Sequence, residues 1–251
     1  MDDKGGPEGP PERRGNEKAS YLLEYCAGKG IEISALAFYP NPMDGDLAKR
    51  EANISHLMKV IAASAKLGAN RVTTFVGRDQ SKSVEDNLEL FKTIWPPIIQ
   101  FAEAQGVKVA IENCAMLFGR DQWPCGQNMA TTPRIWRKLF EIIPSPNFGI
   151  NYDPSYLVWQ MMDYVHPLYE FRDRIFHVHF KDIKLYPDRL NDVGIMAYPL
   201  EYMSPKLPGF GEVAWGKFVS ALSDIGYDGY TCIEAEDRAF EGSREKILDS
   251  L

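Results

Sequence analysis

The feature that most constrains this chain is a strand–helix alternation repeated about six times after Tyr21. IEISALAFY, RVTTFV, VKVAIEN, NFGINYD, RIFHVHF and YTCIEAE each read as a short strand, rich in β-branched residues and bounded by turn residues. Helical stretches separate them: Ala48 to Leu67, Ser83 to Gln105, one opened by Thr132-Pro133, one through VWQMMDYV, and WGKFVSALSDIG. Pro96-Pro97 is expected to kink or break the second of these. A short helix, YLLEYCAGKG, precedes the first strand, Lys181 to Glu212 reads as irregular, and the tail after Gly242 reads as helical. Such alternation implies parallel βαβ units, in a doubly wound sheet or a (β/α) barrel. Doubly wound nucleotide folds carry a glycine-rich turn after their first strand. Here that strand ends in FYPNP, and the stretch Pro208-Gly209-Phe210-Gly211 follows no strand. The barrel is the better reading.

Residues Met1 to Ser20 stand apart, with four Gly, three Pro, nine charged residues and no Ile, Leu, Val or aromatic residue. Such a composition does not offset the entropy lost on ordering, so disorder is expected over 1–20 and a single barrel domain over 21–251. No apolar run approaches the roughly 18–20 residues of a membrane span, and the N-terminus has no apolar signal core, so no membrane partner and a cytoplasmic location are expected. Twenty-eight basic against 35 acidic residues give a net charge of −7, which argues against a nucleic-acid partner and favours small substrates and bound cations. The four cysteines, Cys26, Cys114, Cys125 and Cys232, form no CxxC pair and read as reduced thiols. Neither a phosphate-binding G-x-x-x-x-G-K-[ST] loop nor a G-x-S-x-G elbow occurs.

Active sites of β/α barrels gather where the strands end. Four consecutive strands close on Glu112-Asn113, on Tyr152-Asp153, on His177-Val178-His179, and on Glu234-Ala235-Glu236-Asp237. Several carboxylates at close range repel one another unless a cation lies between them. Three carboxylates and one imidazole make a hard, mixed O/N donor set that suits Mn²⁺, Mg²⁺ or Co²⁺, and also accommodates Zn²⁺. His177 and His179 share one strand face. His179 lies nearer the strand end and is the favoured ligand, with His177 one layer deeper in a supporting or packing role. A strand-end carboxylate taken alone is more often a helix cap or a solvated loop residue; it is the run of four that carries the weight.

With these residues the chain resembles the sugar phosphate isomerase/epimerase superfamily, the xylose isomerase-like TIM barrels. The matching pieces are VAIEN around Glu112, NYDPSYLVWQ around Asp153, HVHFKD around His179, LPGFGEVAW, and CIEAEDRAFEG around Glu234. The resemblance covers Tyr21 to the C-terminus. It implies one divalent metal, manganese first, held by Glu112, Asp153, His179 and Glu234, with Glu112 and Glu234 also serving as acid and base. Chelating a carbonyl and its neighbouring hydroxyl acidifies the C–H between them, and a glutamate on each face then moves a proton through an enediolate. Two departures stand out. Tyr156 occupies a position where the family usually has histidine. About six strands are found where a full barrel has eight, which implies a TIM-type (β/α) barrel incomplete at its N-terminus, with open edges that invite homo-oligomer formation.

Three further residues are candidates for substrate contact. Tyr156 can donate a hydrogen bond. Lys181 can bind a substrate oxygen or phosphate, against the alternative of a surface lysine. Trp123, in a loop of about twenty residues, can cover the pocket, against ordinary loop packing. Arg78, on a strand-end loop, faces either a phosphate or solvent. The expected activity is metal-dependent isomerisation or epimerisation of a sugar, sugar phosphate or polyol-derived ketone. The alternatives are a lyase or dehydratase acting on an inosose or 3-keto sugar, and a barrel remnant without turnover. Phosphodiester cleavage of the endonuclease IV type needs a histidine-rich multi-zinc site, and this chain has four histidines in all.

Overall fold

The computed structural model describes residues 11–115, 117 and 126–250. The elements run α1 (Pro11–Lys29), β1 (Leu36–Phe38), α2 (Leu47–Lys66), β2 (Arg71–Thr74), α3 (Val84–Ala104), β3 (Lys108–Glu112), α4 (Pro133–Ile142) and β4 (Phe148–Tyr152). They continue with α5 (Ser155–Val158), α6 (His166–Glu170), β5 (Ile175–Phe180), β6 (Asp182–Leu185), α7 (Pro187–Val193), β7 (Met203–Lys206), α8 (Trp215–Asp224), β8 (Thr231–Ile233) and α9 (Arg244–Leu248). Six strands form one parallel sheet in the order β1-β2-β3-β4-β5-β8, and β6-β7 form a separate antiparallel hairpin. In the main sheet β1 and β8 each pair with one neighbour, so the described strands make an open, incomplete barrel. No helix among the described residues is long and apolar enough to cross a membrane.

Local chemistry explains where the helices start. The Asp46 carboxylate accepts from the backbone N–H groups of Ala48 and Lys49 ahead of α2, and Ser83 accepts from Asp86 ahead of α3. Thr132 caps α4, whose first residue is Pro133. On α3 the side chains of Leu88, Phe91, Trp95, Ile98, Ile99 and Ala102 are buried in the core that also takes Phe148 of β4. The Trp95 indole lies 5.8 Å from the Phe148 ring, and its Nε1 donates to the Val76 carbonyl at 3.1 Å. Each such buried side chain contributes roughly 1.5–3 kcal/mol.

Four expectations need correction. Pro96-Pro97 does not break α3, which runs unbroken from Val84 to Ala104. Proline cannot supply the N–H that the carbonyls of Lys92 and Thr93 would receive, but both residues are exposed to water, and the buried face holds the segment in place. No helix runs through VWQMMDYV. α5 stops at Val158, because Met161 adopts a left-handed φ of 58° and the Met161 and Met162 N–H groups fold back onto Val158 and Leu157. The stretch from Lys181 to Glu212 is not irregular throughout, since it contains the β6–β7 hairpin and α7. Helix α1 begins at Pro11, so from there the stretch taken as disordered is helical, with proline in the first turn; residues 1–10 lie outside those described.

The hairpin is anchored by Asp182. Its buried carboxylate accepts from the N–H groups of Ile183, Gly209 and Val213 and from the Trp215 indole, at 2.8–3.0 Å. A Cβ at Gly211 would collide with this carboxylate, so the PGFG stretch is shaped by packing against an acid.

Candidate metal centre

All six strands of the main sheet are parallel, so their C-terminal ends share one rim. Glu112 is the last residue of β3, Asp153 follows β4 directly, His179 lies near the end of β5, and Glu234 follows β8. Each offers one ligand-type atom, and the four atoms lie within 4.8 Å of one another. His179 Nδ1 is 3.0 Å from Glu234 Oε2 and 3.8 Å from Glu112 Oε2.

Neighbouring amides aim these groups. Asn113 clamps Asp153 by accepting its N–H at 2.8 Å and donating to its carbonyl at 2.9 Å. The Ser155 N–H takes up Asp153 Oδ1 at 2.8 Å. Asn128 donates to the Glu112 carbonyl at 2.9 Å and to the Cys114 carbonyl at 2.7 Å. What remains is telling: Asp153 Oδ2 is buried without a hydrogen-bond partner, and His179 Nδ1 and Glu234 Oε2, buried 3.0 Å apart, face only each other and the cluster. Buried polar atoms seldom stay unsatisfied, and mixed O/N donors turned inward with no partner outside their own cluster fit a divalent cation.

The charges divide unequally. Burial, with the neighbouring carboxylates, pushes Glu112 up to about 7 and Asp153 up to about 6. Burial acts the same way on Glu234, but the nearby imidazole of His179 and the ammonium of Lys181 overcome it and pull this carboxyl down to about 2. Burial pushes His177 down to about 4, so it is neutral near pH 7. His179 is held above its ordinary value by the surrounding carboxylates, although burial opposes this.

A cavity of about 450 Å³ opens over the cluster. Its lining includes Glu112, His179 and Glu234 together with Tyr39, Tyr156 and Lys181, and its apolar wall includes Trp159, Ile183 and Met203. Lys181 is no surface lysine: it is 2% exposed, and its Nζ lies 2.9 Å from the Tyr156 hydroxyl, 3.3 Å from Glu234 Oε1 and 2.7 Å from Glu236 Oε2. Arg78 lines a different cavity, with Met129, Trp159 and Tyr202. Trp123 lies outside the described residues. Asn151 and Tyr39 escaped the sequence reading as site neighbours, and Glu236 was read there only as part of a strand-end run. Asn151 sits on β4 two residues before Asp153, which follows that strand directly, a spacing that puts both on one side. Tyr39 follows the first strand, where the strand-end rule would have found it.

A family model described as xylose isomerase-like TIM barrel matches residues 6–251. An uncharacterised protein, YfiH, of Bacillus subtilis (strain 168) is 24% identical over 255 residues, which cover 88% of this chain and 77% of its own length. Inosose dehydratase of Geobacillus thermodenitrificans (strain NG80-2) is 29% identical over 113 residues, 44% of this chain and 38% of its own. Among solved structures, the IOLI protein with a bound zinc atom superposes with a TM-score of 0.71 at 18% identity, covering 96% of this chain and 81% of that one. A D-tagatose 3-epimerase-like protein superposes with a TM-score of 0.67 at 18% identity, covering 93% and 79%. Likenesses at this identity bear on the fold.

Proposed function

The chain belongs to the xylose isomerase-like TIM barrel family, and on that premise we propose that it is a divalent-metal-dependent isomerase or epimerase of a sugar, sugar phosphate or polyol-derived ketone. The observation that supports this most is the convergence of Glu112, Asp153, His179 and Glu234 on one point, with Asp153 Oδ2 buried and unpartnered among them. A divalent cation held by these four would polarise a substrate carbonyl and its adjacent hydroxyl and acidify the C–H between them. The hard O/N donors favour manganese, while magnesium, cobalt and the zinc named for the IOLI structure take similar donors.

The two glutamates divide the proton work. Glu234, pulled down to about 2, is ionised near neutrality and suits the base. Glu112 would supply the returning proton. Pairs of carboxyl groups with such divergent surroundings commonly take opposite roles. A proton removed on one face of a carbon and returned on the other gives the epimer; returned to the next carbon, it gives the isomer. Tyr156 and Lys181 would bind substrate oxygens. Lys181 Nζ donates to the Tyr156 phenol oxygen, which leaves the phenolic O–H to donate into the cavity. Burial raises the Tyr156 pKa, so that proton is retained.

The test is product analysis by NMR of candidate ketoses incubated in D₂O with the protein and Mn²⁺. The expected result is deuterium at the carbon beside the carbonyl, together with an epimer or isomer. A second reading, dehydration of an inosose or 3-keto sugar, is favoured by the local similarity to inosose dehydratase. It uses the same proton abstraction followed by loss of a β-hydroxyl, and an unsaturated or deoxy product would identify it.

A further inference from the structure

We propose that Asn151 is a positioning residue whose side-chain amide decides whether the His179 nitrogen that faces the cluster carries a proton or a free lone pair, by a half-turn that reverses its hydrogen bonds to both histidines. The inference rests on the metal-centre reading above.

Asn151 is fully buried on β4, and the sheet register pairs it with Glu112 on one side and His177 on the other. Its Oδ1 lies 3.0 Å from His177 Nδ1, and its Nδ2 lies 3.0 Å from His179 Nε2. Nδ2 also reaches toward Glu112 Oε2 at 3.4 Å and the Tyr39 hydroxyl at 3.5 Å. An amide N–H can only donate, so in this orientation His179 Nε2 accepts and, in the neutral ring, Nδ1 carries the proton. Nδ1 is the nitrogen turned toward Glu112 and Glu234. A protonated nitrogen has no lone pair for a cation.

Turning the amide by half a revolution exchanges its oxygen and nitrogen. Oδ1 then accepts from His179 Nε2–H, which frees the Nδ1 lone pair for the cluster. Nδ2 donates to His177 Nδ1, whose ring proton passes to Nε2. The two imidazoles therefore change tautomer together, driven by one side chain. The turn gives up two long contacts, with the Tyr39 hydroxyl and with Glu112 Oε2, a carboxylate that the cation would itself engage. Groups that orient ligand histidines in this way typically change metal affinity by about 10- to 100-fold when removed.

The experiment titrates Zn²⁺ alone into protein labelled with ¹⁵N-histidine and follows the ring nitrogens by NMR, with Zn²⁺ affinity measured for Asn151→Leu and Asn151→Asp. The expected result is a zinc-bound Nδ1 and a protonated Nε2 on His179, with His177 becoming the Nε2–H tautomer at the same zinc equivalence. Asn151→Leu is expected to weaken Zn²⁺ binding by about 10- to 100-fold. Asn151→Asp, which can accept from Nε2–H without turning, should stay within severalfold of wild type. Ligation of His179 through Nε2, or a folded Asn151→Leu that binds zinc within twofold of wild type, overturns the proposal and leaves the metal centre standing. A wild-type protein that takes up no zinc, manganese or cobalt overturns both. Should Asn151→Leu fail to fold, the wild-type ring signals decide alone.

Discussion

β4 and β8 belong to the same parallel sheet and each delivers one carboxylate to the same cluster, yet they are built in opposite ways. β4 lies between β3 and β5, and all five of its residues are buried. β8 pairs with β5 alone, all three of its residues are exposed, and Ile233 is 60% exposed. The carboxylates inherit the difference. Asp153, clamped by Asn113 and cut off from water, is raised to about 6, whereas Glu234, at the open edge beside His179 and Lys181, is lowered to about 2. Three of the four groups, Glu112, Asp153 and His179, therefore stand on a packed wall of interior strands, and Glu234 alone follows a strand with little to hold it except its neighbour. The lesson is that position across a sheet, as much as residue type, sets what a carboxylate can do.

The largest expected effects test whether wall and edge act as one. Glu112→Gln on the wall and Glu234→Gln at the edge should each lower turnover by about 10²–10⁴-fold, measured as kcat on whichever ketose is converted. Loss in only one of them would separate edge from wall. Phe148→Ala, in the middle of the wall, should lower unfolding stability by about 3–5 kcal/mol in urea melts. A divalent cation at 100 times its Kd should raise stability by about 2.7 kcal/mol, read as a shift in urea midpoint against chelator-treated protein. An unmoved midpoint would show that edge and wall do not share an ion.

The pH dependence follows from the directions of the shifts. Glu112 titrates higher in the folded chain than its ordinary value, and so does His179, so the folded state holds extra protons and loses stability as pH rises through their folded values. His177, lowered to about 4, has the opposite slope, but that slope is exhausted above about pH 6.5. Chelator-treated protein should therefore lose stability between pH 6.5 and 8, and a saturating cation should flatten this slope. The smallest effect belongs to Ile233→Ala, which should change stability by no more than about 0.5 kcal/mol. A much larger cost would mean that the edge is covered in solution.

Much of this was legible from residue order because parallel strands turn linear spacing into a common rim. Glu112, Asp153, His179 and Glu234 each lie at or just past the end of a parallel strand, and that shared position brought them together. Asn151 was less visible: an asparagine inside a strand reads as poor strand-forming chemistry, and its meaning comes from register partners 39 and 26 positions away. Lys181 read equally well as surface or site, because nothing in HVHFKD reveals Glu236 returning from β8 to meet it. Helix ends misled where they depended on tertiary context. Met161 carries no turn signature, and Pro96-Pro97 carries a strong one that the core overrides.

That last feature bears on how the molecule assembles. A segment with two adjacent prolines in its middle lacks two of the amide donors that let a helix propagate by itself, so 84–104 should be largely unstructured as a free peptide. Its helicity is borrowed from the surface it lies on. The strands around Phe148 must therefore begin to associate before this layer can settle over them, which makes the outer shell a late event in folding and not its seed.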